Sequence, residues 1–269
     1  MSQTVFQIEH LKKYYEINLG LFKKPKIIKA VDDISFDVRK GEILSLVGES
    51  GCGKSTTAKL ILKIEDPTDG AILFEGKNIM EFSAKELAEY RTRVQIIFQD
   101  PYSSLNPRWK VGKIIGEPLV LNSDMTPEQI KERVLYLMDR VGMRPEWYDR
   151  YPHQFSGGQR QRIGIARALA LKPEVIICDE PVSALDVSIQ AQVLNLLLDL
   201  QEEFDLTYIF ISHDLSVVNH ISDRIVVMYY GHIVEMKSAE ELFNNPEHEY
   251  TRKLLSAIPV IKGTTQAAS

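Results

Sequence analysis

The chain has 269 residues, with 32 Lys and Arg against 37 Asp and Glu, a formal net charge of −5. Apolar residues make up 44% and charged residues 26%, which fits a globular protein of one large or two small domains and excludes a disordered chain. The acidic balance argues against a nucleic-acid binder that relies on net positive charge, and no nucleic-acid partner is expected. Two cysteines, Cys52 and Cys178, make neither a disulfide framework nor a four-ligand zinc site, so a reducing compartment is the simplest setting.

Apolar-polar alternation at residues 5–9 and 34–38 predicts antiparallel strands, with the basic, turn-rich stretch from Asn18 to Lys26 as an exposed hairpin loop. Ile43–Val47 has the pattern of a buried strand. It runs into a glycine-rich turn and a helix expected over Lys54–Ile64. Short strands follow at Ile72–Glu75 and Val94–Phe98. From about residue 101 to 163 the texture is helical. Thr126 is a good N-cap, Pro127 suits the first turn, and Gln129 completes a capping box before Ile130, Val134, Leu137 and Val141 recur at helical spacing.

Val175–Cys178 and Tyr208–Ile211 read as buried parallel strands, and the helix between them carries Ile189, Val193, Leu196, Leu200 and Phe204. Tyr229-Tyr230-Gly231 reads as a hairpin turn. Ser238 to Glu241 forms a second capping box opening a C-terminal helical tail, and Thr264 to Ser269 are expected to fray. Strands alternating with helices predict an α/β fold: a mainly parallel core sheet, an antiparallel β subdomain and a helical subdomain. No run of 18 apolar residues occurs, and Met-Ser-Gln-Thr-Val at the start has no secretory pattern, so a cytosolic protein is expected.

Gly48-Glu49-Ser50-Gly51-Cys52-Gly53-Lys54-Ser55 matches G-x-x-x-x-G-K-S, with a strand before it and a helix after it. The glycines let backbone N–H groups turn inward around phosphate oxygens, and the helix that continues through Thr56 adds positive charge at its N-terminus. In this pattern Lys54 reaches the β and γ phosphates and Ser55 holds Mg²⁺. Asp179-Glu180, at the tip of the Val175 strand, is the matching second element: Asp179 for the metal, Glu180 to orient or deprotonate the attacking water. An acidic pair at a strand end is ordinary surface chemistry by itself; the cradle gives it a role. These two elements alone leave kinases, GTPases and helicases open.

Phe155-Ser156-Gly157-Gly158-Gln159-Arg160-Gln161 starts another helix, with Ser156 lying 23 residues before Asp179. This run resembles the signature of the ATP-binding cassette family, and other motifs agree in order. Gln99 is similar to the family's Q-loop residue, Ser183-Ala-Leu-Asp186 to its D-loop and His213 to its switch histidine. Tyr15, or alternatively Tyr14, is similar to the aromatic that stacks on adenine.

The resemblance covers roughly residues 5–260 and implies one ATPase domain over that range. Its core spans about 5–100 and 164–237, its helical subdomain about 101–163, and a helical tail covers 238–269. It further implies ATP and Mg²⁺ as cofactors, with Ser55, Gln99 and Asp179 as the metal set. Lys54, Glu180 and His213 carry the catalysis. His213 contacts the γ-phosphate, and Gln99 bridges metal and helical insert. Ser156, Gly157, Gly158 and Gln159 form a second anion site that closes on ATP held by another cassette. One chain with one cassette therefore needs a partner cassette.

The Q-loop extension Gln99-Asp-Pro-Tyr-Ser-Ser-Leu-Asn-Pro-Arg108 and the tail from Asn245 to Pro259 resemble the oligopeptide, dipeptide and nickel importer subfamily. That resemblance implies two transmembrane permeases, a second and non-identical ATPase subunit, an extracytoplasmic substrate-binding protein, and a peripheral place on the cytoplasmic face of the membrane. Peptide is the expected cargo; a nickel chelate, an opine or an antimicrobial peptide are the alternatives. Leu105-Asn-Pro-Arg108 leans toward the second of the two ATPase subunits. Some members carry cysteines after the tail proline; none follows Pro259, so no iron–sulfur site is expected.

Two non-transport classes compete. Chromosome and repair ATPases with this signature carry a long coiled coil between cradle and signature, and the 102 residues from Lys54 to Ser156 are too few for one. Ribosome-associated cassette proteins usually hold two cassettes per chain. Cys52 and Cys178 read as small residues filling tight places; any reactivity of Cys52 would follow from a helix N-terminus lowering its pKa. His10, His153, His220, His232 and His248 have no metal-like spacing.

Overall fold

The computed structural model describes residues 3–17 and 26–257. β1 (Thr4–Ile17) and β2 (Lys26–Arg39) form a long antiparallel pair. β3 (Ile43–Val47), buried at all five positions, leads through the Gly48 turn into α1 (Lys54–Ile61). β4 (Asp69–Phe74) returns beside β1, followed by β5 (Lys77–Asn78), α2 (Ala84–Arg93) and β6 (Val94–Ile97). Three helices come next: α3 (Val111–Asn122), α4 (Pro127–Arg140) and α5 (Gly157–Ala168). Then β7 (Val175–Asp179), α6 (Val187–Phe204), β8 (Thr207–Ser212), α7 (Leu215–Ile221), β9 (Arg224–Tyr229) and β10 (His232–Ser238) lead to α8 (Ala239–Asn244) and α9 (Glu249–Ser256).

Among the described residues there are two sheets. One is the antiparallel order β2-β1-β4-β5; the other has six strands in the order β10-β9-β3-β8-β7-β6. All pairs of the second sheet are parallel except β10 with β9. Its central strands are apolar at nearly every position because both faces are covered. On β7 and β8, Ile176, Cys178, Tyr208 and Phe210 pack toward the helical side of the molecule. Val175, Ile177, Ile209 and Ile211 pack toward the antiparallel sheet and α1. Phe210 is fully buried in the middle of the sheet. Phe210→Ala is expected to lower unfolding free energy by about 3–5 kcal/mol, measured by denaturant titration, because it leaves a cavity the sheet cannot close.

The expected fold class is the observed one, with local differences. α1 stops at Ile61, and the chain turns at Lys63, whose φ is 53°. α4 keeps its full capping box, with Thr126 accepting from Gln129 N and the Gln129 side chain returning to Thr126 N. The Ser238 cap is half formed: its hydroxyl accepts from Glu241 N, but the Glu241 carboxylate meets that hydroxyl and not the backbone. α2 and α3 were not signalled by periodicity. Only Tyr90 of α2 is buried, and α3 contains Gly112, Gly116 and Pro118. The helical-subdomain boundary near 163 falls inside α5. The hairpin loop from Asn18, Pro259 and the expected frayed end lie outside the described residues. Among those described, no helix is long and apolar enough to cross a membrane.

Candidate active site

Strand register assembles the site. In the parallel sheet Val47 aligns with Ser212, Asp179 with Ile211, and Ile97 with Cys178. The segments that follow β3, β6, β7 and β8 therefore emerge at one edge, the carboxyl ends of the strands, where open α/β sheets bind their ligands. They carry the Gly48 loop, Gln99, Glu180 and His213.

The loop is shaped by glycine. Gly48, Gly51 and Gly53 have φ of 147°, 83° and 112°. A Cβ on Gly48 would lie 2.3 Å from Met228 O, and one on Gly53 2.4 Å from Ala30 O. The backbone is thus pressed against β9 and β2 and turns its other side to a cleft of about 520 Å³. α1 starts on Gly53 with no side-chain cap, which leaves first-turn N–H groups for an anion. Lys54 is buried, and its Nζ donates to the carbonyls of Gly48 at 2.7 Å and Glu49 at 3.0 Å. Glu49, Ser50, Ser55, Thr56, Gln99, Glu180 and His213 share the cleft wall, as do Ala30 and Leu254.

At the far wall the acidic groups meet their partners. Gln99 Nε2 donates to Glu180 Oε2 at 2.8 Å and to Ser183 Oγ at 3.3 Å. His213 Nδ1 lies 3.1 Å from Glu180 Oε1, so the carboxylate is held from two sides. Glu180 itself sits at φ 46°, a left-handed conformation that a non-glycine residue adopts at a cost of about 1–2 kcal/mol. Its N–H donates to Ile211 O, and this contact with β8 sets the turn that aims the side chain. Ser55 Oγ donates to Asp179 Oδ1 at 3.1 Å. Burial pushes the Asp179 carboxyl above its ordinary range, and the neighbouring Glu180 charge adds to that.

Other expected residues lie apart from the cleft. Ser156 caps α5 reciprocally with Gln159, and neither lines the cleft of its own chain. Gly157 and Gly158 have a packing reason as well, since a Cβ on Gly158 would stand 2.4 Å from Ile189 Cγ2. Tyr15 donates its hydroxyl to Glu65 Oε2 at 2.5 Å and has Lys13 Nζ 5.1 Å from its ring centre. Tyr14 instead bonds Asp32. Cys52, within the loop, is buried and does not line the cleft. Burial pushes its thiol up despite Lys54 nearby, in keeping with a small residue filling a tight place. Among the described residues no His, Cys, Asp and Glu cluster could hold a metal by itself.

The family model described as ABC transporter matches residues 31–183, more than half the chain. The chain belongs to the ABC transporter family. A second model, described as the oligopeptide/dipeptide transporter C-terminal region, matches residues 234–268 of this cassette. The cassette is 55% identical over 249 residues to the dipeptide transport ATP-binding protein DppF of Haemophilus influenzae, covering 93% of this chain and 76% of that one. It is 55% identical to the oligopeptide transport ATP-binding protein OppF of Bacillus subtilis, covering 97% and 84%. Among solved structures, cbiO1 from Clostridium perfringens, described as part of an ABC transporter complex, superposes with a TM-score of 0.78 at 28% identity over 96% of each chain. The cassette MJ0796, in a dimeric post-hydrolysis state bound to ADP and Pi, gives 0.77 at 27% identity over 87% of this chain and 98% of that one.

Three residues at the site were missed from sequence. Ala30 and Leu254 line the cleft, and Tyr250 bonds the loop behind it. Tyr250 and Leu254 lie in the tail motif, which marked a subfamily but carried no sign of contact with a loop 200 residues away.

Proposed function

We propose that this chain is the ATP-hydrolysing subunit of a membrane importer for dipeptides or oligopeptides. The meeting of Gln99, Glu180 and His213 across the cleft from Lys54 carries the reading. It puts a carboxylate held by two polar groups opposite a phosphate-binding loop, as hydrolysis of a phosphoanhydride requires. Gly48 to Thr56 hold the phosphates through backbone N–H groups, and Lys54 leaves its carbonyl seats to meet the β and γ oxygens. Glu180 orients the attacking water and draws its proton. His213 contacts the γ-phosphate and steadies Glu180. Tyr15, near Thr56, offers its ring to adenine.

The oxygen donors at the loop mouth suit Mg²⁺: the Ser55 hydroxyl beside the Asp179 carboxylate, with the Gln99 amide across from them. When bound, the ion would supply positive charge to offset that of the phosphates. Gln99, at the start of the segment leading to α3, ties the nucleotide to the helical subdomain. Ser156 to Gln159, which do not line their own cleft, close on the ATP of a second, non-identical cassette. Two permeases, a substrate-binding protein and a place at the cytoplasmic face of the membrane complete the assembly. The tail match and the relatives' names support peptide as cargo. Co-expressed with its cognate permeases, the chain is expected to pellet with membranes and to support ATP-dependent peptide uptake in vesicles. Recovery with ribosomes instead would contradict the transport reading.

A further inference from the structure

The tail helix reaches the phosphate loop. Tyr250 on α9 accepts the backbone N–H of Glu49 on its hydroxyl at 2.9 Å, and Leu254, one turn further along, lines the cleft. That N–H belongs to the Gly48–Glu49 peptide, whose carbonyl accepts from Lys54 Nζ at 2.7 Å. One peptide is thus held at both ends, by Lys54 on its oxygen and by Tyr250 on its N–H. The next carbonyl, Glu49 O, also takes Lys54 Nζ at 3.0 Å and Cys52 N at 3.3 Å. Rotating the Gly48–Glu49 peptide would shift the seat of the ammonium group.

The hydroxyl is itself firmly placed. Tyr250 is 6% exposed, and its ring packs on Tyr229 with centres 4.1 Å apart. The start of α9 is pinned to β10 by the buried Glu235 carboxylate, which accepts the N–H groups of Glu247 at 2.8 Å and His248 at 3.0 Å. The turn of the same β9–β10 hairpin donates Gly231 N–H to Cys52 O at 3.0 Å. Hairpin and tail helix therefore grip the loop from two directions.

We propose that Tyr250 is a positioning residue for the phosphate loop: its hydroxyl orients the Gly48–Glu49 peptide and through it the Lys54 ammonium, which makes the C-terminal tail part of the nucleotide site. This rests on the reading of residues 48–56 as the phosphate cradle. ADP binding to the full chain, followed by calorimetry, tests it without turnover. Tyr250→Phe keeps the ring on Tyr229 and removes only the acceptor. It is expected to bind ADP about 2- to 10-fold more weakly, the effect of losing one hydrogen bond, while the unfolding midpoint stays within about 4 °C of wild type.

In the assembled transporter kcat/KM for ATP falls by at least that factor, with KM raised and kcat lowered together, because the Lys54 ammonium serves both the bound nucleotide and the transition state. Lys253→Ala, exposed on the same helix, leaves both unchanged. Wild-type ADP affinity in Tyr250→Phe, with Lys54→Ala still defective, overturns the proposal. So does a loss that tracks a fall of well over about 10 °C in the midpoint and vanishes on cooling. Wild-type affinity in Lys54→Ala would instead remove the cradle reading beneath it.

Discussion

Glu180→Gln is expected to lower kcat for ATP hydrolysis about 10²- to 10⁴-fold while leaving ATP binding intact. The amide matches the carboxylate in shape, and the backbone at φ 46° makes the same demand on either residue. On the role proposed for Glu180 what disappears is the base, and general-base removal has this range of effect. Binding should survive because Glu180, on the same cleft as the proposed phosphate loop, would face the phosphates as a like charge. Its burden is visible in Asp179, whose carboxyl it helps push above the ordinary range. Steady-state hydrolysis with a parallel nucleotide-binding titration checks both halves. Turnover at the wild-type rate would mean that another group handles the water.

Lys54→Ala is expected to act on binding and chemistry together. The buried ammonium is one of the cleft's principal positive charges, and a charge-assisted hydrogen bond is worth about 1.5–3 kcal/mol. Nucleotide affinity should fall roughly 10- to 100-fold on that basis. Hydrolysis should fall further, by about 10³-fold in all, because charge on the phosphoryl oxygens grows in the transition state. The carbonyls of Gly48 and Glu49 would also lose their shared donor and loosen the loop. ADP calorimetry and initial rates at saturating ATP separate the two effects.

The residues differ in how openly they announced themselves. β3, β7 and β8 were legible because both their faces are buried, leaving uninterrupted apolar runs. The phosphate loop was legible because its chemistry is contiguous, one strand, one turn and one helix. The contact of Gln99 with Glu180 spans 81 residues and arises from the parallel register of β6 with β7. Motif order placed both residues at strand ends but could not show that the side chains touch. α3 was hidden by its glycines, which serve packing: a Cβ on Gly112 would run into the Tyr148 ring at 2.3 Å. Tyr250 was the least legible, since its partner is a backbone N–H 201 positions away and any residue could supply one. Cys52 was legible as a packing residue: it sits inside the tight loop, and burial raises its thiol although a helix starts just after it.

In the proposed assembly ATP bridges two cassettes, held by Lys54 and its loop on one side and by the Ser156–Gln159 turn of the facing subunit on the other. The most direct measurement is the particle mass of the Glu180→Gln chain mixed with its cognate second cassette, by light scattering with ATP and Mg²⁺ and then with ADP. A one-to-one pair that forms with ATP and falls apart with ADP is the expected result. Particles of single-chain mass under both conditions would contradict it.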